Sequence, residues 1–230
     1  MWLTNSSIGK KVLMSVTGFA LILFLTFHAC MNVVALISGK AYNMICEFLG
    51  ANWYAVVATA ALAVLVLVHF VYAFILSAQN RKARGENRYE VAAKPAKVEW
   101  ASQNMLVLGI IVILGMVLHL YNFWYNMMLA ELIDRPDAVV YGADGMHWIQ
   151  QTFAGGCWVS YLYSGLYLVW LAALWFHLSH GFWSALQTLG LSGKIWFERI
   201  KTIGNAWVAL VILAFAAVVI AFTLCPNCVG

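Results

Sequence analysis

Charge is what this sequence has least of. Asp, Glu, Lys and Arg make up only 10% of its 230 residues, while 64% are hydrophobic; a soluble domain keeps about a quarter of its residues charged. So few polar side chains cannot cover a water-facing surface, and they form no face for nucleic acid. The mean hydropathy of +0.84 fits a chain whose outer surface is solvated by lipid. Internal repeats and broken hydrophobic segments are also missing, which argues against a transporter built from inverted repeats. A single domain over 1–230 is expected.

The shortage of charge is regional. The stretches 12–38, 51–80, 101–130, 150–192 and 202–230 contain no Asp, Glu, Lys or Arg. A bilayer-crossing helix needs about 20 apolar residues at about 1.5 Å rise each. The fourth stretch is longer than one crossing needs. Its polar start at Gln150, Gln151 and Thr152 and the Gly155-Gly156 pair predict that the helix begins near Cys157. The expected fold is therefore all-α, a bundle of five transmembrane helices over roughly 11–38, 52–79, 103–130, 157–189 and 203–224. The first is too long for the apolar region of a signal peptide and has no small-residue cleavage pattern, so it is expected to be retained.

The cations that remain are distributed unevenly. With five crossings, one side of the membrane carries Lys10, Lys11, Arg81, Lys82, Arg84, Arg88, Lys94, Lys97, Lys194, Arg199 and Lys201, and the other only Lys40 and Arg135. The positive-inside rule then predicts a cytoplasmic N-terminus. The opposite side is acidic between helices three and four, with Glu131, Asp134, Asp137 and Asp144. Trp53, Tyr54, Trp124, Tyr125, Trp158 and Tyr161 fall at that outer interface, and Trp100, Trp183 and Trp196 at the inner one, as aromatic belts do. The basic connection 81–97 reads as a solvated inside loop, long enough also to serve as a docking surface.

What the spans do contain is histidine. His28, His69, His119 and His177 stand one on each of the first four helices, and ionisable residues inside a membrane are rare and usually functional. His28 lies 17 residues past Lys11 and His119 16 past Gln103, both about 24–25 Å from the inner face. His69 lies 12 residues before Arg81 and His177 13 before Gly190, about 18–20 Å from that face. The four sort into an outer pair, His28 with His119, and an inner pair, His69 with His177. Two imidazoles at one depth on different helices are what a b-type haem iron takes as axial ligands. Gly18, Gly115, Gly165 and Gly181 offer room beside them. The alternative is four histidines that merely hydrogen-bond across the bundle.

These residues carry a resemblance. Ser15-Val16-Thr17-Gly18 followed by His28, His69 ahead of a basic turn, His119-Leu120-Tyr121, and His177 with Gly181 four residues on make the chain similar to the five-helix, two-haem cytochrome b subunit of succinate dehydrogenases and fumarate reductases, over about Ile8 to Leu224. The resemblance implies an anchor and electron conduit between an iron–sulfur subunit and a membrane quinone, expected as menaquinone, with two haem b groups. It implies flavoprotein and iron–sulfur partners on the cytoplasmic face of a bacterial inner membrane, and no dicarboxylate site on this chain. His180 shares a helix face with His177 and is the other candidate for the fourth ligand; the spacing to Gly181 favours His177. Some fumarate reductases of this type have a glutamate, proposed to conduct protons, where this chain has Trp175. Cytochromes b of hydrogenase or formate dehydrogenase type, and a haem-free transporter with histidine proton relays, are the rival classes.

Two further features call for assignment. Glu47, in the outer segment before helix two, is a candidate for proton exchange with quinone; the family has a glutamate in this region, about a turn away in register. A solvated loop carboxylate is the other reading. Cys225-Pro226-Asn227-Cys228 is expected as a small structural disulfide or a pair of thiols rather than a redox centre. Cys30, Cys46 and Cys157 are expected as small apolar fillers, and His147 as solvated.

Overall fold

A computed structural model describes residues 6–84, 99–191 and 193–225. Among these the chain is helical without strands, and five helices are long and apolar enough to cross a bilayer, those of a multi-pass membrane protein. Helix α1 (Ser7–Val33) starts where Ser6 caps the amide of Gly9 at 2.9 Å and ends in a tight turn, Val34–Leu36. Helix α2 (Gly39–Phe48) lies beyond the far end of α1, and α3 (Trp53–Arg84) returns. A one-turn helix, Trp100–Gln103, leads into α4 (Met105–His119). Helix α5 (Gly145–Phe153) precedes α6 (Trp158–Thr188) and α7 (Trp196–Leu224).

The bounds differ from expectation where local chemistry overrides hydropathy. The third span was expected to reach 130, but it ends at Trp124 in a π-helical turn over Leu120–Trp124. Asn126 then donates its side-chain amide to the carbonyls of Tyr121 (3.1 Å) and Asn122 (3.2 Å), closing off the helix end. Helix α3 runs past 79 to Arg84 and α7 begins at Trp196 rather than 203, because polar, helix-compatible turns continue each helix past its charge-free stretch. The segment 39–48 is a helix capped by Ser38 on the amide of Ala41, not a loop. Cys157 is the N-cap of α6 as expected.

Helix α6 sits at the centre. Its Tyr167, Leu171, Leu174 and Leu178 pack with Val208, Ile212, Val219 and Phe222 of α7, with Ile22 of α1, and with Ile149 and Phe153 of α5. Outward, Leu23, Val57, Leu114, Val169 and Leu210 are each more than half exposed, which makes physical sense only against hydrocarbon. Close helix approach uses small residues: a Cβ on Gly204 would stand 2.4 Å from the Phe182 ring.

Contacts at both ends fix the alternation of direction. At the amino-terminal end Lys201, early in α7, hydrogen-bonds Glu99, just ahead of the third span. At the far end the Ala51 amide, just before α3, donates to Glu131 at 2.8 Å. There, too, Asn43 of α2 donates to Asp144 at 2.8 Å and accepts from the Met146 amide at 2.9 Å. Arg88, Lys94, Lys97 and Cys228 lie outside the described residues.

Candidate haem-ligand pairs

The structure brings the four span histidines together in two pairs. His28 on α1 faces His119, the last residue of α4, with ring centroids 5.8 Å apart and planes at 83°. His69 on α3 faces His177 on α6 at 6.4 Å and 71°. These are the pairs that depth along the helices suggested, and all four side chains are half-buried.

The separations bear on what such pairs could hold. A metal–imidazole bond is about 2 Å long, so two imidazoles on opposite sides of one metal ion have centroids about 6 Å apart. Both pairs stand close to that value. A haem iron needs only two protein ligands, the porphyrin supplying the rest. Among the described residues there is no group of three or more His, Cys, Asp or Glu of the kind a bare metal ion requires. The donor set therefore suits a haem better than a zinc ion.

The first pair is enclosed by rings. Phe24 stacks on His28 at 5.3 Å, Phe215 approaches it at 5.6 Å, and Phe123 and Trp170 lie 5.2 and 5.7 Å from His119. The π turn after His119 carries Asn122, whose amide donates to the Tyr167 hydroxyl at 3.2 Å. Such turns widen a helix by one residue and recur at functional sites. Trp170 lies over Gly115, where a Cβ would fall 2.1 Å from the indole, so only glycine admits it.

At the second pair a hydroxyl acts on the imidazole. Thr17 Oγ1 lies 2.9 Å from the Leu13 carbonyl and 3.1 Å from that of Met14, both acceptors, and 3.2 Å from His69 Nδ1. With the Thr17 hydrogen directed to the carbonyls, Nδ1–H of His69 donates to Oγ1. That selects the tautomer whose Nε2 lone pair is free for a metal, the usual second-shell arrangement of a ligating histidine. Gly18 is tight against the same ring, a Cβ there falling 3.1 Å from His69 Cε1. His177 Nδ1 is buried with no hydrogen-bond partner. Replacement of Thr17 by the isosteric valine is expected to make the His69 ligand less basic and so raise one haem midpoint potential, leaving the other unchanged; redox titration of the variant checks this.

The two pairs lie at different levels. Thr17, which touches His69, is 11 residues before His28 on α1, about 16 Å along the helix. His180 faces away from this arrangement. Its Nδ1 is 3.6 Å from a Glu99 carboxylate oxygen and its ring meets Trp183 at 4.9 Å, so it does not share the facing of His177 on His69.

The other candidates are placed as follows. Glu47 is exposed on α2, at a far-end hollow of about 560 Å³ that also involves Asn43, Glu131 and Asp144. Gly165 and Gly181 have no atom within 4 Å of an added Cβ. His147 stacks on Tyr141 at 4.0 Å in the far-end cap. Cys46 is half-buried, and burial pushes its thiol up to about 11; Cys30 of α1 and Cys157, the N-cap of α6, are exposed rather than packed fillers. Cys225 is disulfide-bonded. The ring enclosure by Trp170 and the Glu99–Lys201 pair were not anticipated. Trp170 stands seven residues before His177 on α6, on nearly the same helix face, which is a signal the sequence contains.

Compared with known protein families, characterised proteins and solved structures, the chain matches none.

Proposed function

We propose that this chain is the membrane anchor and electron conduit of a succinate dehydrogenase or fumarate reductase, in which His28 and His119 would hold one haem b and His69 and His177 a second. The observation that carries this reading is the pair of imidazole–imidazole separations, 5.8 and 6.4 Å, each joining two different spans at a different level. Haem, when bound, supplies a one-electron carrier at each level. The chain's own residues hold and orient it. Thr17 directs the His69 tautomer, while Phe24, Phe215 and Trp170 pack against the rings of the His28–His119 pair. One ligand per helix also suits this class better than the bc-type cytochromes, in which two helices carry two ligands each.

The excess of cations at the amino-terminal end supports a cytoplasmic N-terminus in a bacterial inner membrane. In that orientation His69 and His177 form the inner site, nearest the flavoprotein and iron–sulfur partners that handle succinate and fumarate. Quinone, expected as menaquinone, is the membrane substrate, and Glu47 is the group proposed to exchange protons with it at the outer end. A pyridine haemochrome assay on the purified complex should return two haems per copy of this chain, with succinate-dependent reduction of both. One haem per chain, or none, would remove the reading.

A further inference from the structure

A histidine does not fix its own ring plane, because the torsion that turns the imidazole about Cβ–Cγ is broad and roughly two-fold. A neighbour has to set it. At His69 that neighbour is the Thr17 hydroxyl, 3.2 Å from Nδ1. The His119 side chain makes no hydrogen bond among the described residues, so packing alone sets its plane. Of the rings around it, Phe123 and Trp170 lie at the lowest angles, 37° and 34°. Phe123 follows in the π turn of the same helix and can turn together with His119. Trp170 belongs to α6 and is held from three sides. Its indole N–H donates to the Val112 carbonyl of α4 at 3.0 Å. Its ring covers Gly115 so closely that a Cβ there would fall 2.1 Å away. Tyr167 meets it edge-on at 5.7 Å and 82°, and the Tyr167 hydroxyl is itself tied to Asn122 at 3.2 Å. The indole cannot turn without breaking one of these contacts.

We infer that Trp170 is the positioning residue of the His28–His119 pair: anchored on Val112 and Gly115, its indole holds the His119 imidazole nearly perpendicular to that of His28. The two planes stand at 83°. This role rests on the two-haem reading and divides the orienting of ligands between the two sites. The His69 ring is set by a hydrogen bond, which also bears on its basicity. The His119 ring is set by an aromatic wedge that makes no polar contact with it. Loss of Thr17 therefore acts on a potential, whereas loss of Trp170 acts on a plane.

Electron paramagnetic resonance of the oxidised full-length chain in its native membranes tests this, because the largest g value of a low-spin ferric haem with two imidazole ligands rises as their planes approach perpendicular. At 83° the angle is near its maximum, so freeing His119 can only lower it. In Trp170→Leu the largest g value of one haem signal is expected to fall while the other signal stays in place. Gly115→Ala should give the same shift with the tryptophan still present, since the added Cβ displaces the indole. Combined with Trp170→Leu it should add nothing further, the two substitutions acting through one contact. Trp170→Phe keeps a ring and loses the N–H anchor, so it should shift the same signal by less. If Trp170→Leu does not retain both haems, Trp170→Phe fills most of the same space and carries the test with Gly115→Ala. Both signals unchanged in these variants, or equal shifts in the two, would overturn the inference. Absence of haem from the unmodified chain would instead remove the two-haem reading, and this role with it.

Discussion

Alanine at His28 or His119 should abolish one of two haem redox components and leave the other intact, and alanine at His69 or His177 should do the reverse. Each haem would be held by two imidazole nitrogens, so deleting one imidazole removes half of the protein's hold on the iron. The partner ring, 5.8 Å away in one pair and 6.4 Å in the other, cannot supply both bonds. The pairs lie about 16 Å apart along α1, beyond the range in which substitutions usually couple, so the losses should be separable. Redox titration followed in the visible spectrum reads both components in each variant. His180→Ala is the internal control: its ring meets Trp183 and stands near Glu99 rather than His69, so both components should survive. Loss of a component in His180→Ala with both kept in His177→Ala would transfer the ligand role to His180.

Why the pairing was legible while much of its surroundings was not has a physical basis. A membrane fixes the length of each crossing, so five apolar stretches gave five spans. A helix rises a constant amount per residue, so distance from a charged border converts to depth, and depth alone suggested which histidines meet. Rotation about the helix axis leaves no such record. That Thr17 of α1 faces His69 while His28, three turns on, faces His119 depends on how α1 is turned against its neighbours. The π turn after His119 arises from one extra residue in a hydrogen-bond ladder, with Tyr125 N reaching back to the Leu120 carbonyl at 2.8 Å, and hydropathy is blind to that. The far-end helices were hidden because Lys40, Glu47 and Asp144 make short segments look like polar loop. Their caps were available signals, Ser38 for α2 and Asp144, which accepts from the His147 amide at 2.9 Å, for α5.

Glu47→Gln should slow turnover with quinone by about 10²-fold or more, the low end of what a general acid or base contributes. Quinone chemistry takes up or releases protons, so a site at the far end needs a carboxylate that water can reach and that is not held by other bonds. Three carboxylates share the far-end hollow, and two are engaged. Glu131 accepts the Ala51 amide at 2.8 Å, and Asp144 accepts from Asn43 at 2.8 Å and from the His147 amide at 2.9 Å. Protonating either would weaken bonds that tie α3 and α5 in place. Glu47 is exposed, and its carboxylate makes no hydrogen bond or ion pair among the described residues, so it can change protonation without disturbing the fold. Glutamine keeps its size and hydrogen bonding and removes only the proton exchange. The variant should therefore keep both haem spectra and its succinate oxidation with an artificial dye acceptor, while succinate–quinone turnover falls. Full quinone turnover in Glu47→Gln would make it a solvated surface carboxylate and move the proton-coupled step to the neighbourhood of the His69–His177 pair.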